Sequence, residues 1–320
     1  MSRRLGLAAP LLLACGLACG LASCGRAQGT PDRDLGDLVI AAPDRNGPVE
    51  LARAAKDPVE LGRALARPYG LAVAALGRHT ATANLSTTTA EPGGAATTLT
   101  ESSMLEVGEG ASFHGLYENS ADLGREVIYV DAPTGGGMFL RPRYQRWHGR
   151  APESPEEPAH VRDSFVDATA ATWDLIAPAA ELTDRGATTV AGRAGRRIEI
   201  TEAPKPATNP PEPLTQRKWR ESRVIEGVSG EIVLDADSGV LLAAKLAGKV
   251  SFTRDGQRYS LTVQLESTVS GLGTAVPIIA PDPAEVVATP ERLREVDDRD
   301  QLLQGLAPPI HKGPTGSTTP

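Results

Sequence analysis

The clearest order in the chain lies in its second half, where apolar and polar side chains alternate. Leu246, Val250 and Phe252 are interleaved with Lys245, Lys249 and Ser251, and Tyr259, Leu261, Val263 and Leu265 with Ser260, Thr262, Gln264 and Glu266. A period of two sends the two sets to opposite faces of a strand, so the stretch predicts an antiparallel sheet covered on one side and wet on the other. Strands are expected at 228–235, where Ile232 and Leu234 point to the apolar face, at 240–254 and at 257–270. Asp235-Ala236-Asp237-Ser238-Gly239 and Asp255-Gly256 supply the turns, the latter a tight-hairpin dipeptide. Upstream, 188–201 reads as β structure through Val190, Ile198 and Ile200, with Gly192-Arg193-Ala194-Gly195 as a bend at a strand end. A linker at 203–215 follows, carrying Pro204, Pro206, Pro210, Pro211 and Pro213.

The first half changes grammar twice. Asp57-Pro58 resembles an N-cap with proline at the first helical position, and Val59, Leu61, Leu65, Leu71, Val73 and Leu76 follow at mostly helical spacing, with Pro68 expected to kink or split the helix. From His79 the pattern becomes β. Thr-rich segments at 79–90 and 96–107 flank the turn signal Glu91-Pro92-Gly93-Gly94, and short strands at 113–117, 125–131 and 138–147 complete a five-stranded meander. From His148 to about Arg185 the spacing of Val161, Phe165, Val166, Trp173, Leu175 and Ile176 is helical again. A short helix is expected near 290–304 and a disordered tail over 305–320, so one folded domain spans 57–304.

The N-terminus carries an address. Arg3 and Arg4 precede an uncharged, apolar stretch from Leu5 to Ala22, the form of a secretory leader. It ends in Leu21-Ala22-Ser23-Cys24, which resembles the bacterial lipobox, where a signal peptidase cuts before the cysteine and the new terminal thiol takes up diacylglycerol. Residues 1–23 are therefore expected to be the signal peptide and Cys24 the lipidation site. Residues 24–56, rich in turn formers, are expected to be a tether, with one short strand at Leu38-Val39-Ile40. Cys15 and Cys19 leave with the leader, so neither a disulfide nor a free thiol remains. Two or more acyl chains give stable membrane anchoring. By resemblance to the enterobacterial sorting rule, Gly25 rather than Asp implies the periplasmic face of the outer membrane over retention in the inner one.

Composition narrows the chemistry without naming it. A formal charge of -7, made more acidic once Arg3 and Arg4 are removed, argues against nucleic acid as a partner. Three Trp, five Tyr and four Phe leave the packing to aliphatic side chains. No Gly-x-Ser-x-Gly, no Ser-x-x-Lys with its partners and no mature thiol offers a nucleophile, so no catalytic residue is assigned. The histidines at 79, 114, 148, 160 and 311 lack metal-ligand spacing, and neither a metal nor a cofactor is assigned. Asp235, Asp237 and Gly239 look superficially like a calcium loop, yet Leu246 stands where its closing Glu belongs, so turn chemistry is the better reading. The most unusual polar feature is the run Arg141, Arg143, Arg146, His148 and Arg150, interleaved with Tyr144 and Trp147. It is either a rim that grips an anionic group or partner, or a solvated strand face balanced by Glu153, Glu156 and Glu157. Trp219, among Arg217, Lys218, Arg220 and Arg223, invites the same two readings.

The order of helix, meander, helices and second meander predicts an α+β fold, a strongly curved antiparallel sheet or half-barrel with helices covering its concave face. Thr189-Val190-Ala191-Gly192-Arg193 with Ile198-Glu199-Ile200, then Gly230-Glu231-Ile232-Val233-Leu234-Asp235-Ala236-Asp237-Ser238-Gly239-Val240-Leu241-Leu242, resemble a strand and a hairpin of the LolA-like lipoprotein-carrier superfamily (LolA, LolB, RseB and LppX type). The resemblance implies a non-enzymatic protein that holds a lipid or lipoprotein acyl chain between half-barrel and helices. The cavity candidates are then Ile232, Leu234, Leu246, Val250, Phe252, Tyr259, Leu261, Val263 and Leu265, with Arg141, Arg143, Arg146 and Trp147 as the polar rim. The chain departs from a simple carrier in its length, its Pro-rich insertion and its own anchor. The competing class is an envelope sensor or assembly accessory that binds protein partners. A secreted hydrolase would need an active site assembled without any local motif.

Overall fold

The computed structural model describes residues 46–288 apart from 134–135, 213–214 and 275–276, with the side chains of 215–217 also left aside. The leader, Cys24, the strand expected at 38–40, the helix expected near 290–304 and the tail lie outside the described residues. Three helices precede the sheet: α1 (Leu51–Ala54), α2 (Pro58–Leu65) and α3 (Gly70–Leu76). The carboxylate of Asp57 accepts from the Val59 amide at 2.8 Å and Pro58 opens α2, as the N-cap reading requires. Pro68 does split the segment into two helices. Residues 46–56, read as the end of the tether, include α1 and place Ala54 and Ala55 in the core.

Six strands form the first meander: β1 (His79–Ala90), β2 (Thr97–Val107), β3 (Phe113–Asn119), β4 (Gly124–Val130), β5 (Gly137–Pro142) and β6 (Trp147–Arg150). The expected single strand at 138–147 is thus two. The Gln145 amide donates to the Pro142 carbonyl at 3.0 Å and Tyr144 takes a φ of 65°, so the chain reverses within Arg143-Tyr144-Gln145. Helices α4 (Glu157–Asp163) and α5 (Ala168–Ile176) follow. Helical structure then stops well short of Arg185, because Pro178 sits in a short 3₁₀ turn and β7 (Ala180–Val190) begins directly after it. The β structure expected over 188–201 is a hairpin, and the bend expected at Gly192 is part of its turn: β7 turns into β8 (Arg193–Glu202) through Ala191 and Gly192, with φ of 50° and 83°. Two left-handed residues are what a tight two-residue hairpin demands. The remaining strands, β9 (Val224–Asp235), β10 (Leu241–Arg254) and β11 (Gln257–Ser270), lie where the alternation places them, and the short β12 (Val286–Ala288) ends the described chain.

All twelve strands join one curled, unclosed sheet in the order β12-β6-β5-β4-β3-β2-β1-β11-β10-β9-β8-β7. Every pairing is antiparallel except that of β12 with β6. The two meanders meet at β1 and β11, with Leu85 opposite Leu265 and Thr87 opposite Val263. Their apolar alternates share one face. Over β8 to β11 that face, with α1, α2 and α5, forms a buried aliphatic cluster; over β1 to β5 it forms a second cluster with Ala72 and Leu76 of α3 and with Phe165.

Candidate functional site

Cross-strand register builds the aliphatic face. Ile198 lies opposite Ile232, Ile232 opposite Ala244, Leu246 opposite Leu265 and Val250 opposite Leu261, so branched side chains run in rows across four strands. Helix α5 packs on β10, β11 and β1. Its seat is a glycine: a Cβ on Gly248 would stand 2.5 Å from Cγ2 of Ile176, so the absence of a side chain lets the helix approach. Phe165 nests on Gly115 of β3 in the same way. Helix α2 is held against α5 by the Trp173 indole, whose N–H donates to the Pro58 carbonyl at 3.2 Å.

The structure brings most of the sequence-derived cavity residues together. Ile232, Leu234, Leu246, Val250, Leu261, Val263 and Leu265 are each at most 6% exposed and belong to one cluster, packed against the helices. Phe252 and Tyr259 are opposite one another, with rings stacked at 5.5 Å, and Trp219 joins them at 4.3 Å from Phe252. They form an aromatic border at one end of the aliphatic face. The alternate side chains Asn84, Ser86, Ser102, Lys245, Gln264 and Glu266 line an open pocket of about 810 Å³, which Leu85, Leu246 and Leu265 also border.

The arginine run does not act as a unit. Arg141 pairs with Glu126 and lies over the Trp147 ring at 4.5 Å. Glu126 also meets Nε2 of His114 at 2.8 Å, while Glu106 meets its Nδ1 at 2.9 Å. Glu126 and His114 alternate with Val127 and Phe113, so this network sits on the polar face of the first meander, away from the aliphatic rows. Arg143 turns to Tyr144 and Asp122, and Arg146 donates to the Ala284 carbonyl at 2.8 Å, fastening the segment before β12. Arg150 pairs with Glu157 of α4.

One polar cluster escaped the sequence reading, and a second was noted there only as arginines around Trp219. In one, fully buried His79 is held between α3 and the sheet: its Nδ1–H donates to the Gly77 carbonyl at 2.7 Å, so Nε2 accepts from the Tyr69 hydroxyl at 2.6 Å. Burial is the main reason that His79 titrates below the usual histidine range and Tyr69 above the usual tyrosine range. Asp163 ties α4 to the start of α3 by accepting from the Tyr69 amide at 3.1 Å. A histidine kept neutral in the fold is protonated more readily when unfolded, so this group lowers stability as pH falls below about 6.5. Tyr69→Phe strands the ring nitrogen and is expected to cost about 1 to 2 kcal/mol, read from urea unfolding at pH 7.5; an unchanged midpoint would refute the assigned bond. The second cluster is the Arg220–Arg223 pair beside Trp219. For the second cluster the signal was the arginines around Trp219; His79 has no aromatic beside it in the chain, and only the fold brings it to Tyr69.

The pair of motifs that carry the family resemblance meet in space. Arg193, at the head of β8, holds the Asp235 carboxylate with Nε at 2.5 Å and Nη2 at 3.1 Å. The Ser238 amide and hydroxyl donate to the same carboxylate at 2.9 and 2.5 Å. The Asp-x-x-Ser-Gly loop is therefore an organised turn locked to the neighbouring hairpin.

No protein-family model matches the chain, and none of the curated proteins does. Among solved structures it is similar to LprF from Mycobacterium bovis, at 12% identity and a TM-score of 0.24 over 71% of this chain and 99% of that one. It is also similar to a LolA superfamily protein from Nitrosomonas europaea, at 7% identity and a TM-score of 0.17 over 68% of this chain and 90% of that one. A third is MucB in the MucA/MucB complex of Pseudomonas aeruginosa, at 16% identity and a TM-score of 0.18 over 67% of this chain and 56% of that one.

Proposed function

We propose that this protein is an exported lipoprotein, anchored through Cys24 on the periplasmic face of the outer membrane, that binds an acyl chain of a lipid or lipoprotein without catalysing a reaction. The observation that supports the reading most is the aliphatic face of β8 to β11 with α2 and α5 laid on it. Its contact with α5 is apolar, with Ile176 seated over Gly248 in the same aliphatic cluster as Val263. Such contacts are non-directional, so methylenes of a guest replace those of a helix at similar free energy, about 0.8 kcal/mol for each CH₂ kept from water. The helices are then an adjustable cover over the concave side, and the aromatic border of Trp219, Phe252 and Tyr259 marks one end of the chain's path.

Native mass spectrometry with solvent extraction, on residues 25–320 so that the protein's own anchor is absent, is expected to find one bound lipid per chain. Folded protein that is empty and also refuses fluorescent acyl-chain probes would overturn the carrier reading and leave a sensor or assembly accessory with a protein partner.

A further inference from the structure

Burying a guanidinium is costly because it cannot give up its proton and carries five N–H donors. The Arg223 side chain is fully buried, yet Nε, Nη1 and Nη2 have no hydrogen-bond partner among the described residues. Its one ionic contact is Oε1 of Glu212 at 3.5 Å, and that same oxygen is shared with Nε of Arg220 at 3.4 Å. Arg220 is itself only 8% exposed, and its Nε also lacks a hydrogen bond. Its Nη2 donates to Asp174 of α5 at 2.7 Å, but that carboxylate stands largely in water. Two buried guanidinium groups therefore converge on one loosely held carboxylate. All three Arg223 nitrogens and the Arg220 Nε are left without hydrogen bonds among the described residues, while burial and then the neighbouring Arg220 charge push the Arg223 group below its usual range.

Glu212 belongs to the Pro-rich segment rather than to the sheet. That segment is fastened by the Glu212 amide to Glu221 at 2.8 Å and by the Asn209 side chain to the Arg223 carbonyl at 2.8 Å. Trp219, one residue before Arg220, packs with Phe252 and Ile225 against the aliphatic cluster. The cationic pair thus sits where the apolar face ends.

We infer that Arg220 and Arg223 form an oxyanion site for a phosphate-bearing lipid headgroup, with the Glu212 carboxylate occupying the seat until the phosphate displaces it. This inference rests on the acyl-chain reading for its choice of ligand. Planar guanidinium forks suit bidentate phosphate contacts, and the excess buried positive charge supplies the selectivity. The site makes the protein selective for anionic over neutral lipids of equal chain length.

The test uses the full chain with three probes: dioctanoyl phosphatidylglycerol, dioctanoylglycerol and inorganic phosphate. Wild-type protein is expected to bind the phospholipid at least about tenfold more tightly than the neutral lipid. Arg223→Met should abolish that preference while raising the melting temperature, since it replaces an unpaired buried charge with an apolar side chain. Glu212→Gln removes the competing carboxylate and should strengthen phospholipid binding. Equal binding of both lipids by wild type, or a preference that survives in Arg223→Met, overturns the headgroup site and leaves acyl-chain binding intact. Neither lipid binding, but phosphate raising the melting temperature of wild type and not of Arg223→Met, keeps the oxyanion site with free phosphate as its ligand and removes the acyl-chain reading. No response to any probe overturns both.

Discussion

Arg193→Ala is expected to lower the unfolding free energy by about 3 kcal/mol at pH 7, because it leaves the fully buried Asp235 carboxylate with only the Ser238 donors. Burial alone would raise the Asp235 pKa. The hydrogen bonds from Arg193 and Ser238 outweigh it and hold the carboxyl below the usual range. A carboxyl depressed in the folded state stabilises above its unfolded value of about 4, and that contribution disappears as pH falls through the folded value. The gap between wild type and Arg193→Ala in urea unfolding should therefore be constant from pH 8 to 6 and close as the pH drops below about 4. A gap that persists unchanged into strong acid would show that the arginine acts through packing rather than through its ion pair.

Gly230→Ala is expected to be as damaging, for a backbone reason. Gly230 has a φ of 153°, and a Cβ there would lie 2.1 Å from the Lys245 carbonyl oxygen, an atom of the neighbouring strand that cannot swing aside. Strain at such a φ together with a backbone clash amounts to about 3 kcal/mol or more, and it falls in the middle of the β9–β10 ladder. Thermal unfolding followed by circular dichroism should show a large drop in midpoint. A variant as stable as wild type would mean that the ladder shifts freely at this point. By contrast, alanine at Gly256, whose Cβ would meet nothing within 4 Å, should cost only the conformational penalty of its φ of 75°.

What the sequence revealed follows from where local chemistry decides structure. The alternation through β10 and β11 was legible because each strand has one wet face, and Asp255-Gly256 was legible because both residues must adopt positive φ. The turn at Tyr144 was missed because its left-handed residue is neither Gly nor Asn. At the β7–β8 hairpin Gly192 marked a bend, but Ala191, with a φ of 50°, disguised the two-residue turn. Strand β7 was taken for the end of a helix because it packs on one side only, so its apolar residues are too sparse to display a period of two. The apolar residues of the candidate site were readable from the same alternation. The arginine run was not, since strand pairing sends Arg141 to the polar face and the intervening turn sends Arg143 and Arg146 elsewhere. Arg223 was legible only as one of the cations around Trp219; its lack of hydrogen-bond partners depends on what surrounds it, which no spacing along the chain encodes.

The position of β1 at the middle of the sheet sets a constraint on how the chain folds. Its two partners are β2, a hairpin away, and β11, where residues 80–90 meet residues 260–270. The first meander can form from local hairpins as soon as it leaves the ribosome or a translocon, but one side of β1 stays bare until nearly the whole domain has followed. That side is rich in threonine and long, the kind of strand edge on which other chains add. Closure of the β1–β11 seam is therefore expected to come late in folding, and a chain cut off before residue 257 is expected to present a half-sheet prone to self-association rather than a smaller working domain.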